Sequence, residues 1–141
     1  MKQYKPYPLE LIKVSEAISD KPLCSPKAVC DYMQDVAVCD REIFWVIYVN
    51  TKNKVVRREM AAMGGISSCP VSPGIVLRGA VAFGVPSIIT CHNHPTFHCY
   101  PSQEDKQLWE TMNQACRILG ITLLDHMIIG KGSYYSYAEN K

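Results

Sequence analysis

Residues 42–50, which read EIFWVIYVN, are a nearly unbroken run of aromatic and β-branched side chains. The run is too short and too rich in β-forming residues for a helix, so it predicts a central, buried strand. It ends at the turn-like segment NTKNK, and VVRREMAAM at 55–63 follows. The two segments together predict an antiparallel hairpin, around which the rest of the chain must be arranged.

Three segments begin with signals that are typical of a helix N-terminus. In the first two, a serine that can cap the helix precedes a proline, which suits the first turn because it needs no backbone hydrogen bond there. In the third, apolar side chains recur at helical spacing behind a serine. The predicted helices cover about 26–38, 74–84 and 102–120, and the last two end at a glycine.

Three more strands complete the pattern. VPSIIT at 85–90 is a buried strand, and the segments at 121–130 and 133–139 form two strands around the turn GKG. The order is therefore helix, hairpin, helix, strand, helix and two strands. This order predicts a mixed α/β fold, in which helices pack on a mixed β-sheet.

The length of 141 residues allows about one domain with a single core. Residues 1–24 contain four lysines and three prolines and have no strong hydrophobic period. We interpret them as an extended N-terminal arm. The remainder, 25–141, is predicted to be a single domain.

Composition excludes several classes of protein. No segment approaches the roughly 18 apolar residues of a membrane span, and the N-terminus has no apolar core of a signal peptide, so a cytoplasmic location is expected. Seven cysteines without a CxxC pair are typical of buried thiols. The net charge of +2 is too mild to indicate a nucleic-acid partner, since such domains more often have a pI above about 9.

Potential metal ligands are concentrated in CHNHPTFHCYPSQED at 91–105, which holds three of the four histidines. His92 and His94 are two residues apart, so on an extended segment both imidazoles project to the same side. Asp105 follows eleven residues later, in the first turn of the predicted helix. Two histidines and one carboxylate leave a fourth position open to water, which is the pattern of a catalytic zinc site.

The same residues resemble a known family. HNHP at 92–95 followed by SQED at 102–105 is similar to the H-x-H-x7-S-x-x-D core of the JAMM (MPN+) metalloproteases. The closest resemblance is to the bacterial RadC branch. REIFWVIYVNTKNKVV, GVPSIITCHNHP, PSQED and LLDHMIIG resemble its segments in the same order, over roughly residues 40–138.

The resemblance implies a role for each matching residue. His92, His94 and Asp105 would bind zinc, and Ser102 would stabilise the oxyanion of a tetrahedral intermediate. Glu42, at the head of the buried strand, would act as the general base.

Two further expectations accompany this resemblance. Glu59 is a second, weaker candidate for the base. The implied fold is JAB/MPN-like and related to that of the cytidine deaminases, which agrees with the element order.

The chain departs from the family pattern in three places. The family loop usually reads HNHPSG, whereas Thr96 and Phe97 stand here, followed by His98 and Cys99 as additional potential ligands. Gly74 occupies a position where the family often has an arginine. The DNA-binding helix-hairpin-helix unit of longer members has no counterpart in the sequence, which weakens a role in DNA repair.

Other interpretations of the acidic positions remain open. Ser102 and Asp105 also fit an ordinary helix N-terminus, with a serine cap and an acid three residues later. That interpretation is compatible with a site, because a capped first turn can also direct Asp105 at a metal. Glu42 could instead form a surface ion pair near Arg41.

Other interpretations of the remaining candidate ligands are structural. Cys91, His98 and Cys99 could form a structural metal site, although they lack a CxxC pair. His126 is more often a buried, hydrogen-bonded sheet residue than a ligand.

The leading hypothesis is a zinc hydrolase of JAMM type that cleaves an amide or isopeptide bond with metal-activated water, acting on a peptide or protein substrate. One alternative is a DNA-repair-associated accessory module without catalytic turnover. Another is a metal-binding interaction domain that has lost turnover through its altered loop.

Overall fold

The computed structural model describes residues 21–64, 71–96 and 98–140, so most of the predicted arm at 1–24 lies outside the described residues. The elements follow the predicted order. They are α1 (Pro26–Tyr32), β1 (Ile43–Val49), β2 (Val55–Met63), α2 (Pro73–Phe83), β3 (Ser87–His92), α3 (Gln103–Leu119), β4 (Thr122–Ile129), β5 (Tyr134–Ser136) and a final 3₁₀ turn (Ala138–Asn140).

The five strands form one mixed sheet in the order β2-β1-β3-β4-β5. β3 and β4 are parallel, and the other neighbouring pairs are antiparallel. The hairpin predicted from the opening run is therefore confirmed, and β1 is an interior strand with neighbours on both sides. The mixed α/β fold class is confirmed as well.

Helices cover both faces of the sheet. Alternate side chains of β1, beginning with Trp45, pack with α1 on one face. The intervening ones, beginning with Phe44, pack with α2 and α3 on the other face. The same alternation separates Cys91, on the α1 face, from His92, because successive side chains of a strand point to opposite sides.

The helices α2 and α3 begin and end close to the predicted positions. Gly84 and Gly120 end them with φ angles of 65° and 72°, in the left-handed region that glycine adopts without strain. α3 has 17 residues. Among the described residues, no helix is both long and apolar enough to cross a membrane.

The first helix is shorter than predicted, because it ends at Tyr32 and not near residue 38. The chain continues in turns, with the amide of Val36 bonded to the carbonyl of Met33. Tertiary contacts of the next residues compete here with the continuation of the helix. Gln34 donates to the carbonyl of Gly130 at 2.9 Å, and the Asp35 carboxylate pairs with the Arg58 guanidinium.

The last strand is also shorter than the predicted 133–139. The Asp125 carboxylate accepts hydrogen bonds from the Ser136 hydroxyl and from the backbone amide of Ala138. These bonds direct the chain out of the sheet and into the 3₁₀ turn.

Candidate metal centre

Four potential ligands converge where β3 ends. His92 is the last residue of β3, and His94 lies two residues beyond it. The antiparallel pairing of Phe44 with His92 brings Glu42, which immediately precedes β1, to the same end of the sheet. Asp105 reaches this point from the first turn of α3. One ligand atom from each of the four residues lies within 4.8 Å of all the others.

The separations between these atoms fit a metal ion. The two Nε2 atoms of His92 and His94 are 3.1 Å apart, and each lies 3.2 Å from a different oxygen of Asp105. Ligands of a tetrahedral ion with bonds of about 2.0–2.1 Å stand about 3.3 Å apart. The oxygen Oε1 of Glu42 is farther, at 3.6 Å from both Nε2 atoms. The donor set of two imidazoles and carboxylate oxygen therefore fits a divalent cation.

A reciprocal pair of hydrogen bonds positions Asp105. Its backbone amide donates to Oγ of Ser102 at 3.1 Å, and its Oδ2 accepts from the backbone amide of Ser102 at 2.9 Å. This capping box confirms the helix-start interpretation, and it also directs the carboxylate at the histidines. Burial alone would raise the pKa of the Asp105 carboxyl, but hydrogen bonds from His92 and His94 outweigh burial and hold that pKa well below its usual range.

Each histidine has a partner for its second ring nitrogen. Nδ1 of His94 lies 2.8 Å from the backbone carbonyl of His98, and Nδ1 of His92 lies 3.1 Å from Nε2 of His126. Both Nε2 atoms are thereby directed at the cluster. The hydrogen bond to Asp105 raises the pKa of His94, against the opposing effect of burial.

The backbone around Glu42 is held at three points. The side chain of Asn93 accepts from the amide of Ile43 at 2.9 Å and donates to the carbonyl of Arg41 at 3.0 Å. The carbonyl of Glu42 itself accepts from the amide of Gly64. The sequence analysis missed this role of Asn93. Its position between the two histidines was the available signal.

Glu42 is directed into the cluster and not onto the surface. Its side chain is 13% exposed, whereas nearby Arg41 pairs with Asp40. Burial raises the pKa of Glu42, and the neighbouring histidines offset part of that increase. The second candidate base, Glu59, is buried in β2 beside Arg57 and is not a member of the group. The geometry therefore favours Glu42 over Glu59.

Ser102 lies at the edge of the site. Its oxygen accepts the amide proton of Asp105, which leaves the hydroxyl proton free to be donated elsewhere. The predicted stabilisation of an oxyanion is compatible with this geometry and stays a prediction.

The other candidate ligands of the opening cluster do not join the group within the described residues. Cys91 faces α1, and burial raises the pKa of its thiol to about 12. The sulfur of Cys99 lies 3.5 Å from Oγ of Ser133. His98 is exposed and contributes its backbone carbonyl to His94.

His126 is a buried, hydrogen-bonded sheet residue, as predicted. Its two ring nitrogens contact the hydroxyl of Thr90 and Nδ1 of His92. Burial, and secondarily the proximity of His92, lowers the pKa of His126 well below its ordinary value. The sequence analysis missed its contact with His92.

The fold and the converging side chains define a class of protein, namely a mixed α/β domain with a candidate metal centre at one end of its sheet. Residues 23–141 match the family described as the RadC-like JAB domain, and the chain belongs to that family.

Curated relatives agree with this assignment. A UPF0758 protein of Actinobacillus pleuropneumoniae serotype 5b is 31% identical over 137 residues, which is 97% of this chain and 60% of the relative. A UPF0758 protein of Pelobacter propionicus is 39% identical over 116 residues, covering 82% of this chain and 51% of the relative. The chain thus spans about half to three fifths of the length of these proteins.

Proposed function

We propose that this domain is a zinc-dependent hydrolase of JAMM type, a metallopeptidase or isopeptidase. The convergence of Glu42, His92, His94 and Asp105 on one point is the observation that carries the proposal. His92, His94 and Asp105 would hold the ion. When bound, zinc would act as a Lewis acid that polarises a carbonyl and lowers the pKa of water.

Glu42 is proposed to act as the general base. Its Oε1 is 3.6 Å from the Nε2 atoms of both histidines, whereas each of those atoms lies 3.2 Å from an Asp105 oxygen, and this larger separation supports a role beside the ion and not as its ligand. From there it would take a proton from the attacking water and deliver it to the leaving amine nitrogen. A pKa raised by burial suits a group that serves first as base and then as acid, because general acid–base catalysis is most efficient when the pKa of the group lies near the working pH.

Ser102 is proposed to stabilise the oxyanion of the tetrahedral intermediate. Its hydroxyl proton is available at the rim of the cluster while its oxygen caps α3. It would donate to the carbonyl oxygen as negative charge develops there during the attack of water. The proposed substrate is a peptide or protein, because the reaction needs an amide or isopeptide carbonyl.

Replacing Glu42 with glutamine tests this proposal, with Glu104→Gln, at an exposed acid in the first turn of α3, as the matched control. Both variants and the wild type would be loaded with zinc. They would then be incubated with a pool of peptides of diverse sequence and with a lysine-ε-linked isopeptide, and cleavage would be followed by mass spectrometry. We expect Glu42→Gln to keep its zinc and to lose about 10²- to 10⁴-fold in rate, since general base catalysis contributes about that much.

Two results would contradict the proposal. Equal rates for Glu42→Gln and the wild type would exclude Glu42 as the base. Zinc-loaded wild type that cleaves neither probe would favour a metal-binding domain without turnover.

A further inference from the structure

His126 is a fully buried histidine that the proposed reaction does not use. It lies in β4, where parallel pairing with β3 sets it opposite Thr90. One of its ring nitrogens, Nε2, is 3.1 Å from Nδ1 of His92, and the other, Nδ1, is 2.5 Å from Oγ1 of Thr90. Hydrogen bonds therefore connect Thr90, His126 and His92 in a line that ends at the candidate metal centre.

The position of one proton decides whether His92 can bind a metal. A neutral imidazole carries its proton on one nitrogen and a lone pair on the other. His92 directs Nε2 at the cluster, so binding there requires the proton on Nδ1. That proton must be donated to Nε2 of His126, which then carries its own proton on Nδ1 and donates it to Thr90.

The reverse arrangement would prevent binding. If His126 donated from Nε2 to Nδ1 of His92, the proton of His92 would lie on its Nε2, facing Asp105 at 3.2 Å. The hydroxyl of Thr90 can donate or accept, so it satisfies His126 in both arrangements. Exchange between the two tautomeric arrangements therefore leaves no ring nitrogen of His126 without a hydrogen-bond partner.

The surroundings of His126 hold its ring in place. It packs against Trp109 with the ring centroids 4.8 Å apart, and against Phe44 at 5.5 Å. A charged group would be costly in this aromatic enclosure. The second partner of His92 is therefore a neutral imidazole, whereas the usual partners of metal-binding histidines are carboxylates, backbone carbonyls and water.

We propose that His126 is a positioning residue, which orients His92 and accepts the Nδ1 proton of the tautomer that binds the metal, while Thr90 accepts the Nδ1 proton of His126 in turn. This inference rests on the metal site of the proposed function. The corresponding partner of His94 is a backbone carbonyl, so His126 is the partner that a substitution can remove.

The test compares the zinc affinity of three variants with that of the wild type. His126→Leu removes the acceptor, and His126→Gln keeps an amide oxygen near the place of Nε2. Trp109→Phe alters packing on the same ring and leaves its hydrogen bonds in place. Affinity would be measured by competition with a chromogenic chelator, and the melting temperature of each metal-free protein would be recorded alongside.

We expect His126→Leu to bind zinc about 10- to 100-fold more weakly, as is usual when the outer partner of a metal ligand is lost. His126→Gln should recover most of that loss, and Trp109→Phe should bind as the wild type does, even if it melts at a lower temperature. Equal affinity of His126→Leu and the wild type would overturn the inference. So would parallel losses in His126→Leu and Trp109→Phe, which would indicate a structural role only.

Two measurements keep the inference testable if His126→Leu does not fold. Nitrogen-15 NMR of the imidazoles in zinc-loaded wild type should find the proton of His126 on Nδ1, and a proton on Nε2 would overturn the inference. Thr90→Val, which is nearly isosteric, should weaken zinc binding several-fold, and unchanged affinity would count against the proposed line of bonds. Wild type that binds no zinc would instead refute the metal site itself.

Discussion

Asn93 stands between the two histidines of the cluster, yet its side chain bonds to the segment that carries Glu42, at the start of β1. Its amide binds the backbone on both sides of Glu42, at Arg41 and Ile43. At the scale of single residues, the site therefore depends on side chains that touch neither metal nor substrate. The role of Asn93 follows from contacts with residues 50 and 52 positions away, which residue spacing does not reveal.

Replacing Asn93 with alanine should separate the position of Glu42 from metal binding. The substitution leaves a backbone amide and a carbonyl without their buried partner, at a cost of about 1–3 kcal/mol in the free energy of unfolding. We expect the rate of hydrolysis to fall far more than the zinc affinity, because the three proposed ligands do not depend on this amide. Chemical denaturation, a zinc titration and the cleavage assay measure the three quantities.

Asn140→Ala is the matched control for Asn93→Ala. Asn140 also donates from its side-chain amide to a backbone carbonyl, at Ser136, and lies in the terminal 3₁₀ turn. It should lower stability without changing the rate per zinc-loaded molecule. If Asn93→Ala cleaved substrate at the wild-type rate, the proposed support of Glu42 would be wrong.

At the scale of elements, the N-terminus of α3 has two functions in one turn. The capping box starts the helix and directs Asp105 at the histidines, while the hydroxyl proton of Ser102 stays available. The sequence predicted the cap, because capping is a local signal that depends on residues only three positions apart. The role of Asp105 as a ligand stays a prediction.

Two substitutions at Ser102 separate capping from catalysis. Ser102→Ala should cost about 1 kcal/mol in stability, whereas Ser102→Gly should cost only a few tenths, because glycine is tolerated at a helix N-cap. Both variants lack the hydroxyl, so we expect them to lose the same large factor in hydrolysis rate despite their different stabilities. Thermal unfolding and the cleavage assay would be run on the same preparations.

Hydrolysis rates that followed the stabilities of the two variants would contradict the proposed oxyanion role of Ser102. If Ser102→Gly cleaved substrate much faster than Ser102→Ala, the serine would matter as a cap and not as an oxyanion donor.

The elements themselves were predictable to different degrees. The start of α2 followed from Pro73, although Ser72 makes no capping hydrogen bond, and the start of α3 followed from its serine cap. Both helices end at a glycine, whose preference also acts locally. The end of α1 did not follow from such a preference, since Gln34 and Asp35 leave the helix to bind Gly130 and Arg58, which are distant in sequence. The contact of His126 with His92 was likewise hidden, because it depends on the parallel pairing of β3 with β4.

At the scale of the whole molecule, the candidate centre exists only in the folded chain. Its four donors come from the segment before β1, the end of β3 and the first turn of α3, and the sheet pairing brings them within 4.8 Å. A metal that binds only this native arrangement must stabilise it. The gain is about 2.7 kcal/mol at a free metal concentration 100 times the dissociation constant.

The most direct test of this account is a calorimetric titration of the metal-free protein with zinc, combined with the melting temperature at each end of the titration. Wild type should bind about one zinc per chain at high affinity and melt at a higher temperature when loaded. Asp105→Asn should bind far more weakly, and Asp31→Asn, in the exposed ion pair with Lys27, should behave as the wild type does. No zinc binding by the wild type, or equal binding by wild type and Asp105→Asn, would contradict the proposed metal centre.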